Sequence, residues 1–210
     1  MKGMFISFEG TEGSGKTSVI REVVARFEAE GYRVTVTREP GGIRISEKIR
    51  DILLDKAHTE MDARTEALLF AASRRQHLVE KIIPALDRGD LVLCDRFVDS
   101  SLVYQGIARG IGFEEVFAIN QFAIGNLLPK RTIFVDVPPE IGLQRVFASV
   151  NREVNRLDLE TKQFHQLIYN GYKSLVQKYP ERFRSVDGCR PIKDVAADVI
   201  ALIQQAYREE

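Results

Sequence analysis

The sequence of 210 residues has little of what several protein classes require. Two cysteines, Cys94 and Cys189, suggest neither a disulfide framework nor a zinc site. The 30 basic and 30 acidic residues cancel, so the basic excess typical of a nucleic-acid binder is missing. No apolar run approaches the roughly 18 residues of a membrane span, and the first residues read as a strand rather than a signal peptide. We therefore expect a cytoplasmic protein with neither nucleic acid nor membrane as a partner.

What the chain does contain is a regular alternation of short apolar stretches with stretches of helical periodicity. The predicted strands are residues 4–8, 32–37, 91–95, 131–137 and 182–187. This alternation predicts a single α/β domain over residues 1–210, with a central five-stranded parallel sheet flanked by helices and ligands at the carboxyl ends of the strands. The polar stretch 149–158 interrupts the pattern, so we expect a short mobile lid over about residues 145–158.

Local signals predict where some helices begin and end. Ser46 is a candidate N-cap for a second helix. Thr59 and Asp62 have the spacing of a capping box for a third helix, which we expect to stop before Pro84.

The stretch GTEGSGKT matches the phosphate-binding loop pattern G-x-x-x-x-G-K-[ST]. Its glycines allow backbone N–H groups to converge on phosphates, Lys16 can reach the β- and γ-phosphates, and the Thr17 hydroxyl can ligate Mg²⁺. The alternative is a glycine-rich turn with a chance match, which the strand before and the helix after it disfavour. The pattern predicts a nucleoside-triphosphate site formed by Gly10, Thr11, Glu12, Gly13, Ser14, Gly15, Lys16 and Thr17.

The third strand ends in CDRFVDSSLVYQG, at the edge of the sheet where a ligand must bind. Asp95 closes the strand, which is the usual place of a carboxylate that holds Mg²⁺ directly or through water. Arg96 can bind the phosphate of an acceptor through two parallel hydrogen bonds. A structural salt bridge between Asp95 and Arg96 is the alternative.

Two further segments are candidates for the acceptor side. TREPGG, with Arg38, Glu39 and Pro40, follows the second strand and would hold backbone close to a ligand; an ordinary solvated turn is the alternative. Phe70 and Arg74 share a helix face and could stack on a base and bind its carbonyl. Periodicity alone does not separate that interpretation of Phe70 from a core residue.

The reaction class follows in part from missing motifs. Neither D-x-x-G nor N-K-x-D of a GTPase switch occurs, and a small phosphate-loop protein is more often a kinase for a small acceptor. A nucleoside kinase with Glu39 as base and a nucleotide-gated binding module stay open as alternatives at this point.

Together these segments resemble the bacterial thymidylate kinases, through FEGTEGSGKT, TREPGG, EALLFAASRRQH, CDRFVDSSLVYQGIARG and NRLDLE. The resemblance covers essentially the whole chain. It implies the P-loop NTPase fold, phosphorylation of dTMP to dTDP with ATP and Mg²⁺, and a homodimer. No segment reads the adenine of ATP clearly, and the loop DGCR (187–190) is only a positional candidate.

The resemblance also implies roles for single residues. Phe70 would stack on thymine, Arg74 would bind its O4, Arg96 would hold the acceptor phosphate and Tyr104 would crowd the 2′ position of the sugar. Glu12 would face the sugar and its 3′-hydroxyl, and Arg50 is a weaker assignment. The implied dTMP site comprises Glu12, Arg38, Glu39, Pro40, Phe70, Arg74, Arg96, Ser100, Ser101, Tyr104 and Gln105, and the implied metal ligands are Thr17 and Asp95.

One departure within the family concerns the charge on the transferring phosphoryl group. Some members carry an arginine directly after the acidic residue of the phosphate loop, where this chain has Gly13. We therefore expect Arg152 or Arg156 of the lid, with Arg145 at its base, to act as the catalytic arginine beside Lys16 and Arg96. An arginine restored at position 13 should partly rescue a lid variant, provided that the loop tolerates a Cβ.

Overall fold

The computed structural model describes residues 3–148 and 155–209. Within these residues five strands form one parallel sheet, in the order β2-β3-β1-β4-β5. The strands are β1 Met4–Glu9, β2 Val34–Arg38, β3 Leu91–Asp95, β4 Arg131–Asp136 and β5 Phe183–Asp187. The predicted fold class is confirmed, and the predicted strand ends lie within two residues of the observed ones.

Helices connect the strands and cover both faces of the sheet. In the described parts of the chain they are α1 Lys16–Ala29, α2 Arg44–Leu54, α3 Ala63–His77, α4 Ile83–Asp87, α5 Val98–Ser101, α6 Phe113–Ile124, α7 Pro139–Ala148, α8 Lys162–Lys178 and α9 Ile192–Arg208. Two π-helical segments, Leu78–Ile82 and Leu102–Ala108, continue α3 and α5, and a 3₁₀ turn spans Arg156–Leu159. A search of these same residues finds no helix with the length and apolar character of a bilayer span.

The core lies on both faces of the sheet because the central strands are apolar throughout, as expected for parallel strands covered on two sides. Alternate residues of β1, such as Ile6 and Phe8, pack against α1 and α9 through Phe27 and Val199. The residues between them face the other way, where Phe5 joins a cluster with α3 and its continuation. β2 lies at the edge of the sheet and is only half-buried.

The strand register brings the predicted site residues to one edge of the sheet. Asp95 at the end of β3 lies opposite Phe8 of β1 and opposite Arg38 of β2. Glu9 of β1 lies opposite Phe134 of β4. The loops that leave these strand ends are therefore neighbours, which is where ligands bind in open parallel sheets.

The predicted helix N-caps are partly wrong. α2 begins at Arg44, and the Ser46 hydroxyl lies inside the helix, where it donates to the carbonyl oxygen of Ser73 at 2.8 Å. Asp62 alone caps α3, accepting from two backbone N–H groups of the first turn, while Thr59 is not part of the cap. The Ser46 hydroxyl bonds to a buried carbonyl instead of capping the helix. The spacing of residues along the sequence does not show this contact.

The helical region also does not stop before Pro84 as predicted. It continues from α3 through the π-helical segment Leu78–Ile82 into α4. Pro84 lies in the first turn of α4, where its missing N–H group is tolerated.

The predicted lid, about residues 145–158, lies only partly within the described chain. Its first residues belong to α7, and residues 149–154 are outside the described parts. At its end the Asn155 side chain and Asp158 form a capping box around the 3₁₀ turn, and Leu157 is buried. The last residues of the predicted lid are thus a packed turn.

Candidate active site

The phosphate-binding loop joins β1 to α1, as predicted. Gly10, Gly13 and Gly15 have φ angles of 149°, 68° and 90°, the region that glycine adopts without strain. α1 begins at Lys16, so the positive end of its dipole faces the loop. The loop therefore has both features that favour a bound phosphate, a flexible glycine backbone and a helix N-terminus.

The Lys16 ammonium is held by the loop itself. Nζ donates to the carbonyl oxygens of Gly10 and Thr11 at 3.1 and 3.0 Å and to Ser14 Oγ at 3.1 Å. Burial, reinforced by the nearby guanidinium of Arg96, lowers the pKa of Lys16 to about 8. The side chain is therefore still largely cationic at neutral pH and is positioned before any phosphate binds.

Gly13 is also the point where α7 meets the phosphate loop. A Cβ on Gly13 would lie 2.1 Å from the carbonyl oxygen of Gly142, and a Cβ on Gly142 would lie 2.2 Å from the carbonyl oxygen of Glu12. Two glycines thus allow direct backbone contact between the loop and α7. An arginine at position 13 was expected to rescue a lid variant only if the loop has room for a Cβ. The structure has no such room.

Thr17 and Asp95, the predicted metal ligands, meet although they are far apart in sequence. The Thr17 hydroxyl donates to Asp95 Oδ2 at 2.9 Å. The described residues contain no group of three or more His, Cys, Asp or Glu side chains that could hold a metal ion. Mg²⁺ in a nucleotide site needs only one or two protein oxygens, because phosphates and waters supply the others, so this donor pair fits it.

Arg96 is fixed at the centre of the site. Among the described residues it is the one non-glycine with a positive φ, 72°. One terminal nitrogen donates to Glu12 Oε1 at 3.0 Å, and the other donates to Ser100 Oγ and Tyr172 OH, both at 3.2 Å. A backbone held in a sparsely populated region, with three side-chain acceptors around the guanidinium, is typical of a functional site.

Glu12 is ionised next to Arg96. Burial by itself would raise its pKa, but Arg96, His165 at 3.6 Å and the Tyr104 hydroxyl at 2.5 Å together lower the pKa of Glu12 to about 2. Burial raises the pKa of the Tyr104 phenol, so Tyr104 remains a hydrogen-bond donor. The arrangement presents one buried carboxylate beside the guanidinium that is predicted to hold the acceptor phosphate.

The Arg74 side chain is almost completely buried, and its guanidinium is held by several acceptors. It donates to Glu39 Oε2 at 2.7 Å, to Ser101 Oγ at 3.0 Å, to the Phe97 carbonyl at 3.0 Å and to Asn120 Oδ1. These contacts use four of its five N–H groups. The fifth N–H group, on Nη2, is not used by these contacts, and Arg74 is the residue predicted to bind a base carbonyl.

Glu39 is part of the same network rather than a solvated residue of a turn. Its second carboxylate oxygen, Oε1, contacts His77 Nδ1 at 2.9 Å, and His77 Nε2 contacts Thr37 Oγ1 at 2.6 Å. The peptide bond from Glu39 to Pro40 is cis, and the Pro40 carbonyl accepts from Arg50 at 3.0 Å. Glu39 and Pro40 are buried, so the solvated-turn interpretation of TREPGG is wrong.

These elements enclose one cavity of about 730 Å³ at the carboxyl ends of the strands. It is lined by 17 of the predicted site residues: Glu12, Gly13, Ser14, Gly15, Lys16, Thr17, Arg38, Glu39, Pro40, Phe70, Arg74, Asp95, Arg96, Ser100, Ser101, Tyr104 and Gln105. Gly10 and Thr11, the first two residues of the loop, are not among the lining residues, and the Thr11 hydroxyl donates to the Val137 carbonyl at 3.1 Å. The structure thus joins the predicted triphosphate loop and the predicted acceptor residues in one space.

Arg156, predicted as a catalytic lid residue, does not line this cavity. Its guanidinium donates to the Leu53 carbonyl at 3.0 Å and to the buried Glu66 carboxylate at 2.5 Å. Glu66 also accepts from Gln105 at 2.9 Å. The geometry gives Arg156 a structural partner in place of a phosphate, because a buried carboxylate binds a guanidinium strongly. Arg152, the other candidate, lies outside the described residues.

Sequence reasoning missed most of the far end of the cavity. The loop after β5 and the start of α9 contribute Gly188, Arg190, Pro191, Ile192 and Val195. Arg145 of α7 also lines this end and donates to the Gly188 carbonyl at 3.2 Å. The position of DGCR after the last strand was the one feature of the sequence that indicated a ligand-binding loop here. Ile192 and Val195 have the pattern of ordinary helix residues.

Comparison with known proteins agrees with this geometry. A sequence profile described as thymidylate kinase matches residues 8–199. The thymidylate kinase of Bacillus pumilus is 56% identical over 209 residues, which cover 100% of this chain and 99% of that protein. That of Oceanobacillus iheyensis is 53% identical over 210 residues, with 100% and 93% coverage.

A solved structure is similar along nearly the whole chain. The crystal structure of the thymidylate kinase from Ehrlichia chaffeensis has a TM-score of 0.77 to this fold at 31% identity, and covers 97% of this chain and 99% of its own. Full-length identity above 50% to named relatives, a profile match over most of the chain and the shared fold lead to one conclusion. The chain belongs to the thymidylate kinase family.

Proposed function

We propose that this protein transfers the γ-phosphoryl group of ATP to the 5′-phosphate of dTMP, forming dTDP for DNA synthesis. The observation that carries the proposal is the single cavity that joins the phosphate loop around Lys16 to the acceptor pocket around Arg96 and Phe70. In-line transfer needs both substrates in one enclosed space with their phosphates facing each other.

The acceptor pocket fits a nucleoside monophosphate. In this proposal Arg96 holds the acceptor phosphate, and Phe70 and Arg74 hold the base. Tyr104 and Glu12, which are joined by a hydrogen bond, line the same cavity. A phosphomonoester has a second pKa of about 6, so the attacking oxygen is already anionic at neutral pH. Catalysis therefore needs alignment and charge neutralisation, and no general base.

Positive charge dominates the cavity. Among the described lining residues seven are cationic, Lys16, Arg38, Arg50, Arg74, Arg96, Arg145 and Arg190, and three are acidic, Glu12, Glu39 and Asp95. We propose that Thr17 and Asp95 hold Mg²⁺ when ATP binds. The ion would neutralise charge on the β- and γ-phosphates. Lys16 and Arg96 supply fixed charges on either side of the transferred group.

We place the adenosine of ATP at the far end of the cavity. Arg145, Arg190 and the apolar side chains of Pro191 and Ile192 surround this end, next to α1. A planar guanidinium can stack on an adenine, and proline and isoleucine can pack its edge. We further propose that residues 145–158 act as a lid on a single kinase domain and close over this bound ATP.

A nucleoside kinase is disfavoured by the state of Glu39. A nucleoside acceptor has a neutral hydroxyl, and a carboxylate base is needed to remove its proton. Glu39 was the candidate for that base. Both of its carboxylate oxygens are engaged, one by Arg74 and the other by His77. Arg96 beside the pocket also favours an acceptor that carries a phosphate.

A coupled assay of ADP release tests the proposed function directly. Purified protein is given Mg-ATP with dTMP, with thymidine or with no acceptor. We expect turnover with dTMP alone. Turnover with thymidine would support the nucleoside kinase, and binding of ATP without any acceptor-dependent turnover would support a binding module.

Phe70 allows a test of the acceptor pocket. Its ring belongs to the buried cluster of α3, α6 and α8 and also lines the cavity, so both interpretations of the sequence apply. We expect Phe70→Ala to weaken dTMP binding by roughly 1–3 kcal/mol, the scale of base–aromatic stacking. The ATP affinity should stay nearly unchanged in calorimetric titrations.

Phe117→Ala is the matched control for that prediction. Phe117 packs against the same cluster but does not line the cavity. Both variants should lower the melting temperature, and only Phe70→Ala should weaken dTMP binding. An equal loss of dTMP affinity in the two variants would make Phe70 a core residue only.

We propose a homodimer that forms through α3 and α6. Leu68, Val79 and Phe122 are 56%, 39% and 93% exposed, and the exposed Ala72 and Ala118 lie one turn from Leu68 and Phe122. Arg75 donates to the Ala123 carbonyl at 3.4 Å, so the two helices lie side by side. Large apolar side chains grouped on one surface are typical of a protein interface.

A charge at the centre of this surface should separate the subunits. We expect Phe122→Glu to shift sedimentation from dimer to monomer, because the carboxylate would be buried in an apolar contact. Phe147→Glu on α7, where the ring is 60% exposed, is the control and should leave the assembly unchanged. A Phe122→Glu variant that sediments like the wild type would place the interface elsewhere.

We also propose a cytoplasmic location. The composition supports it, since Cys94 and Cys189 are both free thiols and form no disulfide with each other.

A further inference from the structure

Behind Arg96 lies a buried carboxylate that the proposed mechanism does not use. Glu9 is the last residue of β1 and is fully buried. Its Oε1 accepts from the Phe97 backbone N–H at 2.8 Å, and its Oε2 accepts from the hydroxyls of Ser100 at 2.6 Å and Tyr172 at 2.8 Å. Three donors thus converge on one acidic side chain.

The two hydroxyls connect this carboxylate to the active-site arginine. Ser100 Oγ and Tyr172 OH lie 3.0 Å apart, and each accepts a hydrogen bond from the same Arg96 nitrogen at 3.2 Å. A hydroxyl has one hydrogen to donate and two lone pairs with which to accept. An ionised carboxylate is the stronger acceptor, so both hydrogens point toward Glu9 and the lone pairs face Arg96.

We infer that Glu9 and Tyr172 are positioning residues for the transfer reaction, which fix the Arg96 guanidinium toward the acceptor phosphate. Neither residue is among those that line the cavity, so both act through Arg96. Glu12 binds the second terminal nitrogen of Arg96 directly. Arg96 is therefore held between two carboxylates, one in contact and one acting through a pair of oriented hydroxyls. The inference rests on the proposed function, because it gives Arg96 a phosphate to hold.

The surroundings of Tyr172 explain how it stays in place. Its ring stacks on Phe134 of β4, with centroids 5.3 Å apart and an interplanar angle of 25°. Removal of the hydroxyl alone therefore leaves the packing of the ring intact. Burial and the neighbouring Asp99 raise the pKa of Glu9 to about 7, so assays at pH 8 examine the ionised form.

The test compares Tyr172→Phe with Tyr169→Phe, which removes a hydroxyl from the same helix one turn away. At pH 8 we expect Tyr172→Phe to lower kcat/KM for dTMP about tenfold, the scale of one hydrogen bond to a charged group. The KM for ATP and the melting temperature should stay close to wild type. Tyr169→Phe should match the wild type in all three measurements.

A second variant tests the path through Glu9. Glu9→Gln keeps the shape of the side chain but replaces one acceptor by a donor. Because the fixed Phe97 N–H needs the amide oxygen, the amide nitrogen faces the two hydroxyls, and they can no longer both donate to residue 9. We expect Glu9→Gln to lower kcat/KM for dTMP at least about tenfold. Tyr172→Phe added to Glu9→Gln should then cost less than about threefold, because the hydroxyl has already lost its orientation.

The outcomes separate the inference from the proposed function. Wild-type turnover of dTMP with a Tyr172→Phe variant within twofold of it would overturn the inference and leave the function standing. Equal losses in dTMP and ATP parameters together with a lower melting temperature would make Tyr172 a core residue and also overturn it. A wild type without dTMP turnover would overturn both.

Discussion

Lys16→Ala should remove nearly all turnover of dTMP while the protein stays folded. Lys16 lines the cavity at the phosphate loop, and in our proposal its ammonium supplies fixed positive charge to the β- and γ-phosphates of ATP. Loss of one preorganised charge-stabilising group typically lowers kcat by about a hundredfold or more, and we expect at least that here. Coupled ADP release gives the rate, and a thermal melt checks the fold.

The burial of Lys16 affects what the Lys16→Ala variant is expected to show. Lys16 is only 7% exposed, and its ammonium donates hydrogen bonds to acceptors of the loop. Some loss of loop order is therefore expected with Lys16→Ala. Lys48→Ala, which removes a lysine with an 82% exposed side chain, is the control and should match the wild type. Turnover of Lys16→Ala within tenfold of wild type would remove Lys16 from the mechanism.

The second large effect is expected in the lid. Gly13 leaves the phosphate loop without an arginine, so the charge on the transferring phosphoryl group must be met elsewhere. Because Arg156 is bound to Glu66 and Leu53, we expect Arg152→Ala to lower kcat by at least about a hundredfold, within the range of arginine fingers. An interaction made only in the transition state lowers kcat and kcat/KM together and leaves dTMP affinity nearly unchanged.

Arg156→Ala should act differently. It removes one of the donors to the buried Glu66 carboxylate, although Arg109 and Gln105 still bind it. We expect a loss of about 2 kcal/mol in the free energy of unfolding, below the roughly 3–5 kcal/mol for a buried charge left alone. If kcat instead falls a hundredfold for Arg156→Ala and not for Arg152→Ala, the Glu66 contact belongs to a resting state and Arg156 is the catalytic residue.

Arg145→Ala completes the set, since Arg145 lines the ATP end of the cavity. We expect it to raise the KM for ATP more than it lowers kcat. Near-wild-type kcat in all three arginine variants would mean that the lid does not neutralise the phosphoryl charge, and our account of catalysis would be wrong.

Gly13→Arg should not rescue Arg152→Ala. The new Cβ would meet the Gly142 backbone at 2.1 Å, and the φ of 68° disfavours any side chain at this position. Gly13→Ala, which adds the Cβ without the charge, should lower activity as well. A rescue by Gly13→Arg would show that α7 moves away from the phosphate loop.

Local pattern was enough to predict the sheet. The apolar runs that became β1, β3 and β4 are buried on both faces, so their sequences carry the signal of a parallel sheet with little interference. Helix ends were predicted less well. Ser46 bonds to Ser73, which is distant in sequence, whereas the helix continues past Pro84 because that residue lies in the first turn of α4.

The site residues divide in the same way. Motifs with fixed spacing, such as GTEGSGKT and TREPGG, identified residues that do line the cavity. The motifs did not give the roles of other residues. The sequence does not show that Arg156 binds Glu66. Glu9 precedes the phosphate-loop pattern, and Tyr172 lies in no motif.

The sequence by itself determined the fold class, the phosphate loop and the residue types of the acceptor pocket, because strand periodicity and the loop motif are local properties of the chain. Only the tertiary structure decided which polar groups face each other. A buried carboxylate or guanidinium is destabilising unless it has a hydrogen-bond partner. That partner lies on whichever element packs next to it in the fold. Glu9, Glu12 and Glu66 are adjacent to their arginines or hydroxyls through the packing of β1, α3 and α8, which no spacing along the chain encodes.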